Sequence, residues 1–178
     1  MTAKKKPQTT KVKSVTFPQT AMYFVSCLTV GMLDNPQRKP YPLIDDENFW
    51  PWIGLYNSHL FHAYWLMVGD AFHITMQDYG TVNPPVCWKK DNALRAETER
   101  LARRLLKPTT IEKCRSNFIG RNGKIFKNVN FHKEGTPGPR IIKELDRILL
   151  RAYRLPENPL MDEMRIIRAQ SAHLIANK

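Results

Sequence analysis

The stretch FWPWIGLYNSHLFHAYWLMVGDAFHITM, residues 49–76, restricts the folding of this chain more than any other feature. From Phe49 to Gly69 it carries no formal charge, holds three of the four tryptophans, and places apolar side chains on most sides of a helical wheel. A helix of that kind must be covered all round, so it is either the centre of a protein core or a membrane span. Asn57, Ser58, His59 and His62 burden it as a span. Residues 14–33 form a second uncharged stretch, in which Ser14, Pro18, Gln19 and Thr20 shorten the apolar part. Core helices are expected for both, with two membrane spans as the alternative.

Around this centre the chain reads as a mainly α single domain with a short N-terminal β-ribbon and one β-hairpin. Residues 1–10 form a flexible basic tail and 11–178 the domain. From Lys11 to Phe17 side chains alternate as in a strand. Pro18 then suits the first turn of an apolar helix reaching Leu33. The proline-rich 34–44 reads as a loop, and 49–76 as one helix. A further helix is expected over 91–106, with Leu94, Leu101 and Leu105 on one stripe and Glu99 four residues before Arg103. Thr109 and Glu112 offer a capping box for a short helix over 110–117. Asn122-Gly123 is the preferred centre of a two-residue turn in a hairpin over 118–131. Two helices close the chain, one from Pro139 to about Leu155 and one from Pro159 behind Asn158.

Charge is segregated along this plan. The chain carries a net +12, with five lysines and no acids in residues 1–20, a net −3 over 21–89 and a net +10 over 90–155. A concentrated positive field attracts polyanions, and a phosphate backbone is the commonest of these, although membranes and acidic partners compete. Cys27, Cys87 and Cys114 are too widely spaced for a disulfide framework or a CxxC site, which points to a reducing compartment and to thiols serving as small hydrophobes. MTAKKKPQTT is too polar for a secretory signal and lacks the arginines of a transit peptide. A cytoplasmic, nucleoid-associated location is expected.

The segment KVKSVTFP, basic, alternating and running into a Pro-started apolar stretch, resembles the N-terminus of ribbon–helix–helix DNA-binding proteins over residues 11–30. The resemblance implies that two chains pair these strands into an antiparallel ribbon that enters the major groove. Val15 and Phe17 would then lie in the dimer core and Ser14 and Thr16 would face bases. Lys11 or Lys13 would meet phosphate or groove edge. The arm 11–33 would be the dimerisation unit, whereas an ordinary first strand behind a basic tail is the plainer reading.

Two further basic features point the same way. Residues 91–131 present helix, short helix and hairpin in the order of a helix-turn-helix with a wing, placing Arg121, Lys124 and Lys127 near the hairpin tip. The same order also describes an αα-hairpin followed by a charged β-hairpin. In PRIIKELDRILLRAYRL, Arg140, Lys143, Arg147, Arg151 and Arg154 recur at steps of three, four, four and three, on one side of a helix. That is a phosphate-binding stripe or a solvated face.

Catalysis finds little support. His62 and His73 are close to three helical turns apart, with His59 and Asp70 nearby, but the spacing matches no zinc-helix motif. Core or interface histidines are the better reading. GTPGPR lacks the spacing of a phosphate loop. No cofactor, metal or nucleophile–base pair is expected. The chain therefore reads as a non-enzymatic DNA-binding protein, a dimeric transcriptional regulator or DNA accessory factor, with DNA favoured over RNA as its partner. The alternative is a basic subunit of a larger ribonucleoprotein or membrane-associated assembly.

Overall fold

The computed structural model describes residues 13–19, 25–43, 47–69, 73–89, 92–119 and 123–156. Among them helix accounts for 49% and strand for 19%, so the helix-rich single domain with an N-terminal sheet and a later hairpin is what forms. Three strands open the chain: β1 (Lys13–Pro18), β2 (Leu28–Thr29) and β3 (Arg38–Leu43), in the order β2-β1-β3, all antiparallel. β1 pairs with β3 from Lys13↔Leu43 to Pro18↔Arg38, and Thr16 faces Leu28 on the other side.

This arrangement corrects two expectations. First, among the described residues β1 is paired within its own chain on both sides, with β3 along its whole length and with β2 at Val15 and Thr16, and Val15 and Phe17 are buried in their own subunit in place of a ribbon shared with a twin strand. Second, the helix expected over 18–33 does not form in residues 25–33, where β2 and turns take its place; residues 20–24 lie outside the described residues. The proline-rich loop is itself a strand. Pro40 and Pro42, two residues apart, strip N–H groups from one side of β3, which suits an outer edge and blocks further strand addition.

Buried Arg38 locks the sheet. Its Nε donates to Thr16 Oγ1 at 3.2 Å, Nη1 to Ser26 Oγ at 3.0 Å, and Nη2 to the carbonyls of Thr16 and Ser26. One guanidinium thus ties β1, β3 and the strand approach at 25–27 together. Desolvation lowers it from its ordinary range to about 10, an effect that Cys27 and Tyr79 partly oppose.

The long apolar stretch also divides. α1 (Phe49–Tyr56) stops at Asn57 and α2 (His59–Val68) restarts behind Ser58, whose Oγ accepts the Phe61 N–H at 3.1 Å. The cause is Asn57, whose amide turns inward. Its Oδ1 accepts the Cys27 N–H and its Nδ2 donates to Cys27 O, both at 2.9 Å, satisfying a buried backbone segment that has no strand partner there. α3 (Met76–Gly80) follows, opened by a capping box between Thr75 and Asp78. The side chains of Phe17 and Tyr79 stack at 3.8 Å between centroids, with Tyr41, Tyr56 and Phe61 around them, and this aromatic cluster joins the sheet to the helices.

The second half supplies the covering helices. After a 3₁₀ turn at Val86–Lys89 come α4 (Asn92–Leu105) and α5 (Pro108–Lys113), then β4 (Arg115–Ile119), β5 (Ile125–Val129) and α6 (Gly138–Tyr153). Gly54 of α1 faces Thr98 of α4 and Leu145 of α6 so closely that a Cβ would press on both side chains. α5 begins at Pro108 behind Lys107 and makes no side-chain cap, so the Thr109–Glu112 box does not form. The hairpin ladder runs from Arg115↔Val129 to Ile119↔Ile125, leaving a five-residue connection in place of the two-residue turn. Gly123 in it has φ 73°, while residues 120–122 and the closing helix expected from Pro159 lie outside the described residues.

Burial raises Cys27, Tyr56 and Tyr79 above their ordinary values of 9.0, 10.0 and 10.0. Raised folded values give stability that is complete below the unfolded pKa and lost as pH climbs past it, because the unfolded chain releases protons the fold retains. Arg38 works in the opposite sense, and only as pH approaches 10. Urea unfolding is expected to lose about 2 kcal/mol from these groups between pH 8 and pH 10. The Tyr79 hydroxyl is buried with no hydrogen-bond partner among the described residues. Tyr79→Phe is therefore expected to raise stability at pH 8 by about 1 kcal/mol and to flatten the alkaline decline.

Candidate nucleic-acid interface

α6 sorts its residues cleanly. Ile141, Ile142, Leu145 and Leu149 are each 0% exposed, whereas Arg140, Lys143, Arg147 and Arg151 are all exposed, as is Arg154 just past the helix. The 3.6-residue period does the sorting, since the apolar and basic sets occupy opposite sides of one cylinder. From Arg140 to Arg154 the cations cover about 21 Å of helix length.

Three contacts fix that helix. Gly138 lies so close to Phe131 that a Cβ would fall on the Phe131 carbonyl, so only glycine allows the helix to start there. Asp146, on the inner side, is 1% exposed. Its Oδ1 accepts the His59 backbone N–H at 2.9 Å and its Oδ2 lies 2.6 Å from His59 Nδ1. A carboxylate only accepts, so that ring nitrogen carries the proton. Glu144 sits between Arg104 of α4 at 3.3 Å and Arg140 at 3.9 Å. It holds two helices together and removes part of the stripe's charge.

The other residues singled out in the sequence are dispersed. Thr16 Oγ1 accepts from Arg38 and donates to Leu28 O at 3.4 Å, so its hydroxyl is committed inside the sheet. Half-buried Ser14 lies opposite Pro42 and uses its carbonyl to accept the Val30 N–H. Lys13 is exposed, its Nζ 5.3 Å from the centre of the Phe49 ring. Lys11 and Arg121 lie outside the described residues. Lys124 and Lys127 are exposed on the hairpin, and the Lys127 carbonyl accepts from Asn35 Nδ2 at 2.8 Å, which ties the hairpin to the loop before β3.

In the helix-turn-helix reading α5 would enter the groove, but it is only six residues long and buries Thr110 and Ile111. Its outer Glu112 pairs with Arg115 at 2.9 Å, so that side offers little net charge. α4 commits two of its four arginines to its own acids, Arg100 to Glu97 and, as the spacing indicates, Arg103 to Glu99, and a third, Arg104, to Glu144 of α6.

The histidines separate as well. α2 ends at Val68, so His62 and His73 do not share a helix side; His62 is buried beside Trp65, and His73 is exposed and accepts from Trp65 Nε1 through its carbonyl. Among the described residues no three His, Cys, Asp or Glu side chains group as metal ligands. No described helix is long and apolar enough to cross a membrane. Cys27 and Cys114 are buried, while half-buried Cys87 donates its thiol to Ala152 O.

Sequence reasoning missed Asp146 and Arg38. Asp146 reads as a charge interrupting a basic face, yet its position one step after Leu145 places it inward. Arg38 had no visible signal beyond standing in a segment taken for loop. No family model, curated protein or solved structure matches this chain.

Asp146→Ala leaves the part-buried His59 backbone N–H and the His59 ring without their acceptor. It is expected to lower stability by about 2–3 kcal/mol, read as a shift of the urea midpoint.

Proposed function

We propose that this protein is a non-enzymatic DNA-binding factor that holds duplex phosphates with the outer side of α6. The observation that carries the reading is the exposure of Arg140, Lys143, Arg147, Arg151 and Arg154 along one line of a helix whose other side is core. A helix seated this way cannot rotate, so its cations stay presented together. Guanidinium groups suit phosphate because their planar forks match its oxygens. Arg151 and Arg154 also favour the helix C-terminus, which accounts for part of their placement.

With Thr16 committed to Arg38 and Leu28, the binding proposed is of the backbone kind, positioning the protein without reading bases. Lysines of residues 1–13 would add further phosphate contacts from the N-terminal arm.

Binding to a short duplex is expected to weaken with salt at a log–log slope of about −4 to −5 if the five cations of α6 each displace a counterion. The double substitution Lys143→Ala/Arg151→Ala should reduce that slope by about 2 and weaken binding equally for unrelated sequences. Binding unaffected by the substitution would assign the stripe to a protein neighbour. Preference for RNA over DNA of the same sequence would move the partner.

A further inference from the structure

One acidic residue stands inside the basic run of α6. Glu144 follows Arg140 by four residues and precedes Arg147 by three, which places it on the same side of the helix. Its two oxygens turn to arginines of two different helices. Oε2 lies 3.3 Å from Arg104 Nη1 of α4, and Oε1 lies 3.9 Å from Arg140 Nε. Arg100 is one turn before Arg104 on the same side of α4. Its guanidinium is held above the ordinary value first by the hydrogen bond to Glu97, and the Glu144 charge adds to that effect.

A carboxylate ringed by guanidinium groups occupies the kind of place a phosphate takes, because the same planar forks grip both anions. The pairs are also open to exchange. The side chains of Arg104 and Glu144 are 34% and 35% exposed and that of Arg140 is 70% exposed. Exposed ion pairs are weak and screened by salt. The fold depends little on this tie, since Leu101 and Leu105 of α4 and Ile141, Ile142 and Leu145 of α6 are all fully buried. With no polyanion present, Glu144 keeps the arginines extended toward one point. Once a phosphate arrives, the same carboxylate repels it.

Resting on the duplex-binding reading above, we propose that Arg104 and Arg100 of α4 form one phosphate seat with Arg140, in which Glu144 is a built-in competitor that a backbone phosphate displaces. The interface is then two helices wide, and Glu144 holds its affinity down.

The test is binding of the full chain to a short fluorescent DNA duplex across a salt series. Glu144→Gln, which keeps the shape of the side chain, is expected to tighten binding about five- to tenfold at about 0.1 M salt and to steepen the log–log slope by about 1. Adding Arg104→Ala should cancel most of that gain. Glu112→Gln removes the same charge from the Arg115 pair and should change affinity less than about twofold. Binding by Glu144→Gln no tighter than by Glu112→Gln, or a gain that survives Arg104→Ala, would overturn the inference and leave the α6 stripe standing. Failure of the unaltered protein to bind the duplex in a salt-dependent way would overturn the duplex reading and this inference with it.

Discussion

One buried carboxylate sets the geometry on which the rest depends. Asp146 stands on the inner side of α6, surrounded by Ile142, Leu145, Leu149 and Leu150 in sequence, and its two oxygens reach across to the first residue of α2. An ionised group in such a setting is costly unless its lone pairs are used. Here both oxygens meet N–H donors at the positive end of a helix, where negative charge is favoured. The pairing fixes α2 against α6 in position and in rotation. With the apolar residues of α6 already turned inward by the helical period, it helps hold the basic stripe toward solvent.

A second polar anchor governs the other half of the molecule. Arg38 and Asn57 reach into the same neighbourhood around Ser26 and Cys27, one from β3 and one from the break between α1 and α2. The chain there is too irregular to satisfy its own backbone, so side chains supply the partners. The sheet and the helical layer meet through the Asn57 amide, beside the Arg38 guanidinium, and through the aromatic cluster at Phe17, instead of through one continuous aliphatic seam.

What the sequence disclosed follows from that division. α4 and α6 were legible because their apolar residues repeat at the helical period with charged residues opposite, and local pattern decides such elements. The hairpin was legible in place but not in register, since Asn122-Gly123 names a turn and cannot say how many residues flank it. The apolar stretch 49–68 was read as one helix because hydrophobicity gives no sign that Asn57 is needed by Cys27, a residue 30 positions away. β3 was hidden for the same kind of reason: prolines argue against a strand in general, and only the knowledge that it is an outer edge reverses the argument. For the site, the exposure of the α6 cations matched the spacing, whereas Thr16 looked free in sequence and is held by an arginine from a distant segment.

The order of elements along the chain has a consequence for synthesis. The three-stranded sheet is complete once residue 43 has emerged, but Gly54 and its neighbours on α1 stay uncovered until α4 and α6 arrive near residues 98 and 145. Between those points the tryptophan-rich stretch stands without its full lid, the interval in which a nascent chain is most prone to stick to others. The break at Asn57 shortens the hazard, because two stubs of eight and ten residues present less continuous oily surface than a single rod. An amide that serves Cys27 in the finished molecule thereby also limits what the ribosome must hold exposed.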